Sequence, residues 1–227
     1  MTSPLPTLAV FGGTGNLGWG LALRWARAGH PVIVGSRTMG RAAQAAAEIA
    51  AAAGGQANIR GLDNRAAAAA CEIGVMAVPF AVQRETAEAI RAGLQGKILV
   101  DVTVPLVPPR VLRVQLPEGG SAVAAIQALL GKEVRVVSAF QNIAAAHLRD
   151  PDRAIECDVL VCGDDKAARE QVIALTAAAG LRGWHAGPIA NSAAAEAMTS
   201  VLMFLNRTYG IDGAGLRITG TPAKDAS

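Results

Sequence analysis

Short apolar runs alternate with longer stretches of helical spacing along most of the chain. Residues 7–12 (TLAVFG) are an almost unbroken apolar run, which predicts a buried strand, and residues 16–28 continue with apolar positions on a helical period. A turn at AGH leads to a second strand, 31–36 (PVIVGS), and then to an alanine-rich helix, 40–53, closed by Gly54 and Gly55. A weaker third strand at 57–62, a short helix at 64–71 and a fourth strand at 73–79 (IGVMAVP) follow. A helix at 82–94 and a fifth strand at 97–105 (KILVDVTVP) end this half. Strand and helix alternating at this spacing predict an α/β fold with a doubly wound parallel sheet and right-handed crossovers.

Beyond Pro105 the pattern changes. The segment LVPPRVLRVQLPEGG is the longest irregular stretch, and a helix at 121–130 and a strand at 134–141 (VRVVSAFQ) come after it. A strand at 157–163 (CDVLVCG) precedes a helix, 164–180, that Asp164 or Asp165 can cap. A last strand at 181–189 (LRGWHAGPI) and a closing helix at 191–210, capped by Asn191 or Ser192, finish the ordered part. Residues from about 219 to 227 are expected to be disordered.

The chemistry begins at the end of the first strand. Gly13-Thr14-Gly15-Asn16-Leu17-Gly18 is a G-x-G-x-x-G placed between a strand and a helix. The first glycine permits a tight turn, the second admits a pyrophosphate to the backbone, and the third lets helix pack on strand. The helix N-terminus then offers free N–H groups and partial positive charge to the phosphates. Residues 1–145 are therefore expected to form a Rossmann dinucleotide-binding domain, and 146–227 a small C-terminal α/β lobe.

The second strand selects the dinucleotide. A carboxylate roughly 20 residues past the glycines would bond a free ribose 2′-hydroxyl and repel a 2′-phosphate. This chain has Ser36, Arg37 and Thr38 there, with Arg41 one helical turn on. A guanidinium fork and two hydroxyls suit a phosphate, so NADP(H) is expected over NAD(H). Ordinary solvated charge is the competing reading of Arg37 and Arg41.

Composition narrows the remaining classes. The 227 residues are 52 % hydrophobic and 17 % charged with a net charge of +3, which suits a compact α/β protein rather than a nucleic-acid binder. No apolar run is long enough to span a bilayer, and MTSPLPT lacks the basic-then-apolar order of a signal peptide, so a cytoplasmic protein is expected. Cys71, Cys157 and Cys162 lack CxxC spacing and read as reduced core residues. His30, His147 and His185 do not cluster, no serine sits in a nucleophile elbow, and no residue set has metal spacing. Neither a catalytic acid–base pair nor a metal site is expected. Such a chain suits hydride exchange with a small second redox carrier that brings its own chemistry.

Taken together, LAVFGGTGNLGWGLALRWARAGHPVIVGSR, DVTVPLVP, VVSAFQNIAAAHL, DVLVCGDD and LRGWHAGPIANSAAAEAMTSVL resemble the NADPH-dependent reductases of the deazaflavin coenzyme F420. The resemblance covers nearly all of residues 7–211. It implies hydride transfer between NADP(H) and F420, with Thr14, Asn16 and Leu17 on the pyrophosphate, and Ser36, Arg37 and Arg41 on the 2′-phosphate. Val78 and Pro79 would line the nicotinamide. Phe140, Gln141, Asn142 and Ile143, with Asn191 and Met198 to Leu202, are candidates to line the deazaflavin, core packing being the alternative for each. The family often has histidine or asparagine around FQN, and an arginine where Ala193 and Ala194 stand here. Arg110 or Arg207 could meet the anionic F420 tail, and the apolar closing helix suggests a homodimer. The competing functions are reduction of a flavin, imine or carbonyl by NADPH, and a non-catalytic NADPH sensor.

Overall fold

The computed structural model describes residues 4–55 and 57–220, so the tail expected to be disordered lies, from residue 221, outside the described residues. Eight strands form one sheet in the order β3-β2-β1-β4-β5-β6-β7-β8. They are β1 (Leu8–Phe11), β2 (Val32–Ser36), β3 (Ile59–Asp63), β4 (Ile73–Met76), β5 (Ile98–Asp101), β6 (Arg135–Ser138), β7 (Asp158–Gly163) and β8 (Arg182–His185). The helices are α1 (Asn16–Arg27), α2 (Met39–Ala52), α3 (Asn64–Ala70), α4 (Gln83–Ile90), α5 (Ala122–Leu130), α6 (Ala145–Leu148), α7 (Lys166–Ala178) and α8 (Ser192–Tyr209).

Strands β1 to β6 are parallel, as the alternating pattern requires. β1, β4 and β5 are buried along their whole length because helices cover both faces. β7 runs against the others: it pairs antiparallel to β6 through only Val137–Gly163 and Ser138–Cys162. The connection from β6 runs through residues 139–157, whose one helix, α6, is four residues long. It carries no crossover helix of the usual length, so the chain returns in the opposite direction. β8 then lies parallel to β7 after α7, and both strands continue the sheet of the first half. β5 also ends at Asp101, short of the expected Pro105; residues 102–105 leave the ladder and run on along the strand ends.

The order reverses between β1 and β4. The β1–α1 connection leaves toward β2, and the chain after β4 leaves toward β5, so a crevice opens at their carboxyl ends. α1 borders this crevice and is the anchor of the far half. Arg24, 7 % exposed, donates from Nε to the Leu148 carbonyl, from Nη1 to Ala179, and from Nη2 to His147, Asp150 and Arg153. One guanidinium thus satisfies the carbonyl ends of α6 and α7, where helices leave their acceptors unpaired. Trp25 adds a bond from Nε1 to the Leu175 carbonyl at 2.9 Å.

A second buried polar group stands at the carboxyl end of β5. Asp101 is fully buried; Gln83 Nε2 donates to its Oδ2 at 2.7 Å, and the Thr103 amide to its Oδ1 at 2.9 Å. Desolvation raises its pKa from 3.8 to about 7, against the lowering effect of those bonds. A carboxyl whose native pKa is raised adds stability fully below its unfolded pKa, and that stability is lost as pH rises through the native value. The native chain should therefore lose stability relative to Asp101→Asn between about pH 4 and pH 7, with a slope approaching roughly 1.4 kcal/mol per pH unit in the middle of that range. Urea unfolding of both proteins across that range checks it; a constant difference would contradict it.

Candidate functional site

The crevice holds a cavity of about 500 Å³ lined by Gly12, Thr14, Gly15, Ser36, Arg37, Thr38, Arg41, Asn64, Ala77, Val78, Pro79, Val82 and Thr86. Its floor is the glycine loop. Gly12 has φ +85°, and a Cβ there would lie 2.5 Å from the Ala77 carbonyl oxygen, so only glycine fits between β1 and β4. A Cβ on Gly18 would lie 2.7 Å from the Gly12 oxygen, which is the close helix–strand approach expected of the third glycine. Gly13 and Gly15 make the turn, with N–H bonds to Val10 and Gly12. Gly15 is the N-cap of α1 and no side chain caps the helix, so its first-turn amides stay available to an anion.

The opposite wall carries the cations. Ser36 ends β2, and Arg37, Thr38 and Arg41 follow into α2, whose N-terminus also lacks a side-chain cap. No acidic residue is among the described residues that line the cavity. The nearest carboxylate in sequence register, Asp63 beside Ser36, is engaged in capping α3, accepting from the Arg65 and Ala66 amides at 3.0 Å. Neither Arg37 nor Arg41 forms an ion pair among the described residues. Glycines that a side chain would block, uncapped amides and two unpaired guanidinium groups together fit a dinucleotide with an extra phosphate.

The third wall is the end of β4. Val78 and Pro79 line the cavity here. They are held from below, since the Thr103 hydroxyl donates to the Val78 carbonyl at 3.4 Å and Thr103 is itself fixed by Asp101. Asn64, Val82 and Thr86 were missed by sequence reasoning. They lie in or beside helix starts without any motif, and only the topology brings them to the crevice.

The remaining candidates lie outside this lining. Asn16 accepts from Arg149 at 3.0 Å, and Leu17 packs on the core. Phe140 is buried, edge-on to Trp25 at 5.8 Å between ring centroids. Gln141 donates to the Asp101 carbonyl, Asn142 donates to Ala195, and the Thr199 hydroxyl donates to the Gln141 carbonyl. Segment 140–142 is therefore clamped between β5 and α8, beside the carboxyl end of the sheet. Asn191 does not cap α8 through its side chain; it bonds the Ala186 carbonyl at 2.7 Å.

α8 is held by a group without any sequence motif. Glu196 is 1 % exposed, and its carboxyl accepts from Ser121 at 2.6 Å, from the Ala122 amide at 2.7 Å and from the Val123 amide at 3.2 Å. It thereby closes the N-terminus of α5, while burial pushes its pKa up. The histidines stand apart: His30 lies 3.1 Å from the Pro6 carbonyl, His147 pairs with Asp212 at 3.3 Å, and His185 is exposed on β8. The three cysteines are buried and unbridged, with Cys71 and Cys162 pushed up to about 11 by burial.

The profile of a family described as NADP oxidoreductase, coenzyme F420-dependent, matches residues 7–105. An F420-dependent NADP reductase of Methanocaldococcus jannaschii is 39 % identical over 93 % of this chain and 97 % of its own. That of Methanothermobacter thermautotrophicus is 36 % identical over 96 % and 97 %. A crystal structure of a candidate F420-dependent NADP reductase from Arthrobacter sp. FB24 superposes with a TM-score of 0.78 at 28 % identity, covering 95 % of this chain and all of the other. With full-length relatives at this identity, the chain belongs to the family of F420-dependent NADP reductases.

Proposed function

We propose that the protein transfers a hydride between NADP(H) and coenzyme F420, the reduction of F420 taking up one proton per hydride. The observation that supports it best is the single cavity joining the glycine loop, Ser36, Arg37, Thr38 and Arg41 to Val78 and Pro79, with no carboxylate in its lining. In this reading Gly13, Thr14, Gly15, Asn16, Leu17 and Gly18 hold the pyrophosphate, and Arg37 and Arg41 hold the 2′-phosphate. Val78 and Pro79 shape the nicotinamide end. Both carriers supply their own redox chemistry, and the protein contributes alignment and exclusion of water.

Residues 1–145 hold the nucleotide, and the acceptor takes the cleft between them and the described part of the C-terminal lobe that begins at residue 146. Phe140, Gln141, Asn142 and Asn191 then act by shaping the floor and edge of the deazaflavin site rather than by proton transfer. Arg110, Arg113 and Arg207, which line one groove, are suited to the anionic tail. The names carried by the relatives do not favour a flavin, imine or carbonyl acceptor, or a sensor without catalysis. No helix of the described residues is long and apolar enough to cross a membrane, and a cytoplasmic enzyme fits.

The outer face of α8 presents Val201 and Phe204 to solvent, 42 % and 52 % exposed, while Ala195 and Leu202 face inward. We read that face as the contact of a homodimer. Sedimentation at micromolar concentration should give the dimer mass, and a single monomeric species would contradict it. For the nucleotide, Arg37→Ala should lower kcat/KM for NADPH in F420 reduction by about 10- to 150-fold, the 1.5–3 kcal/mol of a charged hydrogen bond. It should leave kcat/KM for NADH almost unchanged. Equal losses for both nucleotides would show that Arg37 does not read the 2′-phosphate.

A further inference from the structure

α1 meets the far half of the molecule along one face, at three- and four-residue spacing. Arg24 binds the carbonyls of His147, Leu148, Asp150 and Arg153, and Arg27 pairs with Asp152 at 3.0 Å. One turn earlier, Gly20 lets that segment touch the helix: a Cβ there would lie 2.5 Å from the Leu148 Cβ and 3.1 Å from the Arg149 amide nitrogen. The backbone bearing Arg149 is thus fixed against α1 by packing and by a buried guanidinium. Its side chain turns to the first helical turn. Nη1 donates to Asn16 Oδ1 at 3.0 Å, and the guanidinium carbon lies 4.2 Å from the centroid of the Trp19 ring.

Both contacts hold the guanidinium in place without neutralising it. Asn16 is a neutral amide, the indole offers only its π face, and Arg149 joins no ion pair among the described residues. Asn16 opens α1, directly after the glycine loop, where uncapped amides already gather positive potential. A fixed cation added to that end is electrostatically unfavourable in the empty protein and favourable once an anion arrives. Neither Arg149 nor Asn16 is in the cavity lining, which Gly15 beside Asn16 joins; Arg37 and Arg41 line it where the chain passes from β2 into α2.

We propose that Arg149 is a further cation of the nucleotide site, contributed by the far half of the chain, and that it grips the pyrophosphate while Arg37 and Arg41 grip the 2′-phosphate. The proposal rests on the NADP(H) reading above. It has a consequence that reading lacks. Pyrophosphate is common to NADPH and NADH, so Arg149 adds affinity without discrimination.

The test is equilibrium binding of NADPH, NADH and adenosine 2′-monophosphate to the full chain and to Arg149→Gln and Arg149→Lys. Arg149→Gln should raise the Kd of both dinucleotides about tenfold and equally, the scale of one charged hydrogen bond. Adenosine 2′-monophosphate, which lacks the pyrophosphate, should bind as before. Arg149→Lys should recover part of the loss, because a point charge replaces the fork. Unchanged dinucleotide binding in Arg149→Gln, with Arg37→Ala still selective against NADPH, would overturn the assignment of Arg149 alone. Loss of adenosine 2′-monophosphate binding in Arg149→Gln would show a structural role and also overturn it. Failure of the unaltered chain to bind either dinucleotide would remove the NADP(H) reading and this proposal together.

Discussion

The guanidinium of Arg24 is the contact on which the arrangement of the two halves depends. It sits on the helix that follows the glycine loop, and it satisfies five carbonyls that belong to the segment after β6 and to the end of α7. Burial lowers its pKa, with Asp150 opposing, yet a guanidinium stays charged under any such shift. Each carbonyl left unpaired in such a place costs about 1–3 kcal/mol, so few substitutions could replace it. The consequence is geometric. The helix that presents its amides to the phosphates is also the helix against which the far half is seated, and Gly20 and Arg27 extend the same seam.

The crevice built on that seam divides its labour by wall. The glycine loop gives close approach, the end of β2 gives positive charge, and the end of β4 gives an apolar edge held from beneath by Thr103 and Asp101. The carboxyl groups with raised pKa values, Asp101 and Glu196, are buried beneath or behind the strand ends and spend their oxygens on amides and hydroxyls. The histidines are likewise engaged or remote. Such a site offers alignment of two carriers rather than proton chemistry of its own, which accords with the hydride exchange proposed for it.

The sequence made some of this legible and hid the rest for identifiable reasons. Strand–helix alternation is a local signal, so the parallel half from β1 to β6 was readable in order and type. The glycine loop and the Ser36–Arg41 stretch were readable because each residue there answers to a backbone or phosphate requirement of its own. β7 was not readable as antiparallel, since direction is set by the connection through 139–157 and not by the strand's own residues. Arg24 and Glu196 were invisible because charged residues are ordinarily exposed, and their carbonyl and amide partners lie 73 or more positions away in sequence. Phe140, Gln141 and Asn142 form a continuous stretch in sequence, yet their side chains go to the core, to β5 and to α8.

The most direct test of hydride exchange follows the hydrogen itself. The purified chain would be mixed with oxidised F420 and NADPH deuterated at the transferable C4 position, in ordinary water, and the reduced F420 analysed by mass and NMR. The structure and family predict loss of the deazaflavin absorbance with one deuterium at C5 of the product. Absence of any absorbance change with NADPH bound, or reduced F420 carrying only solvent hydrogen at C5, would contradict direct transfer between the two carriers.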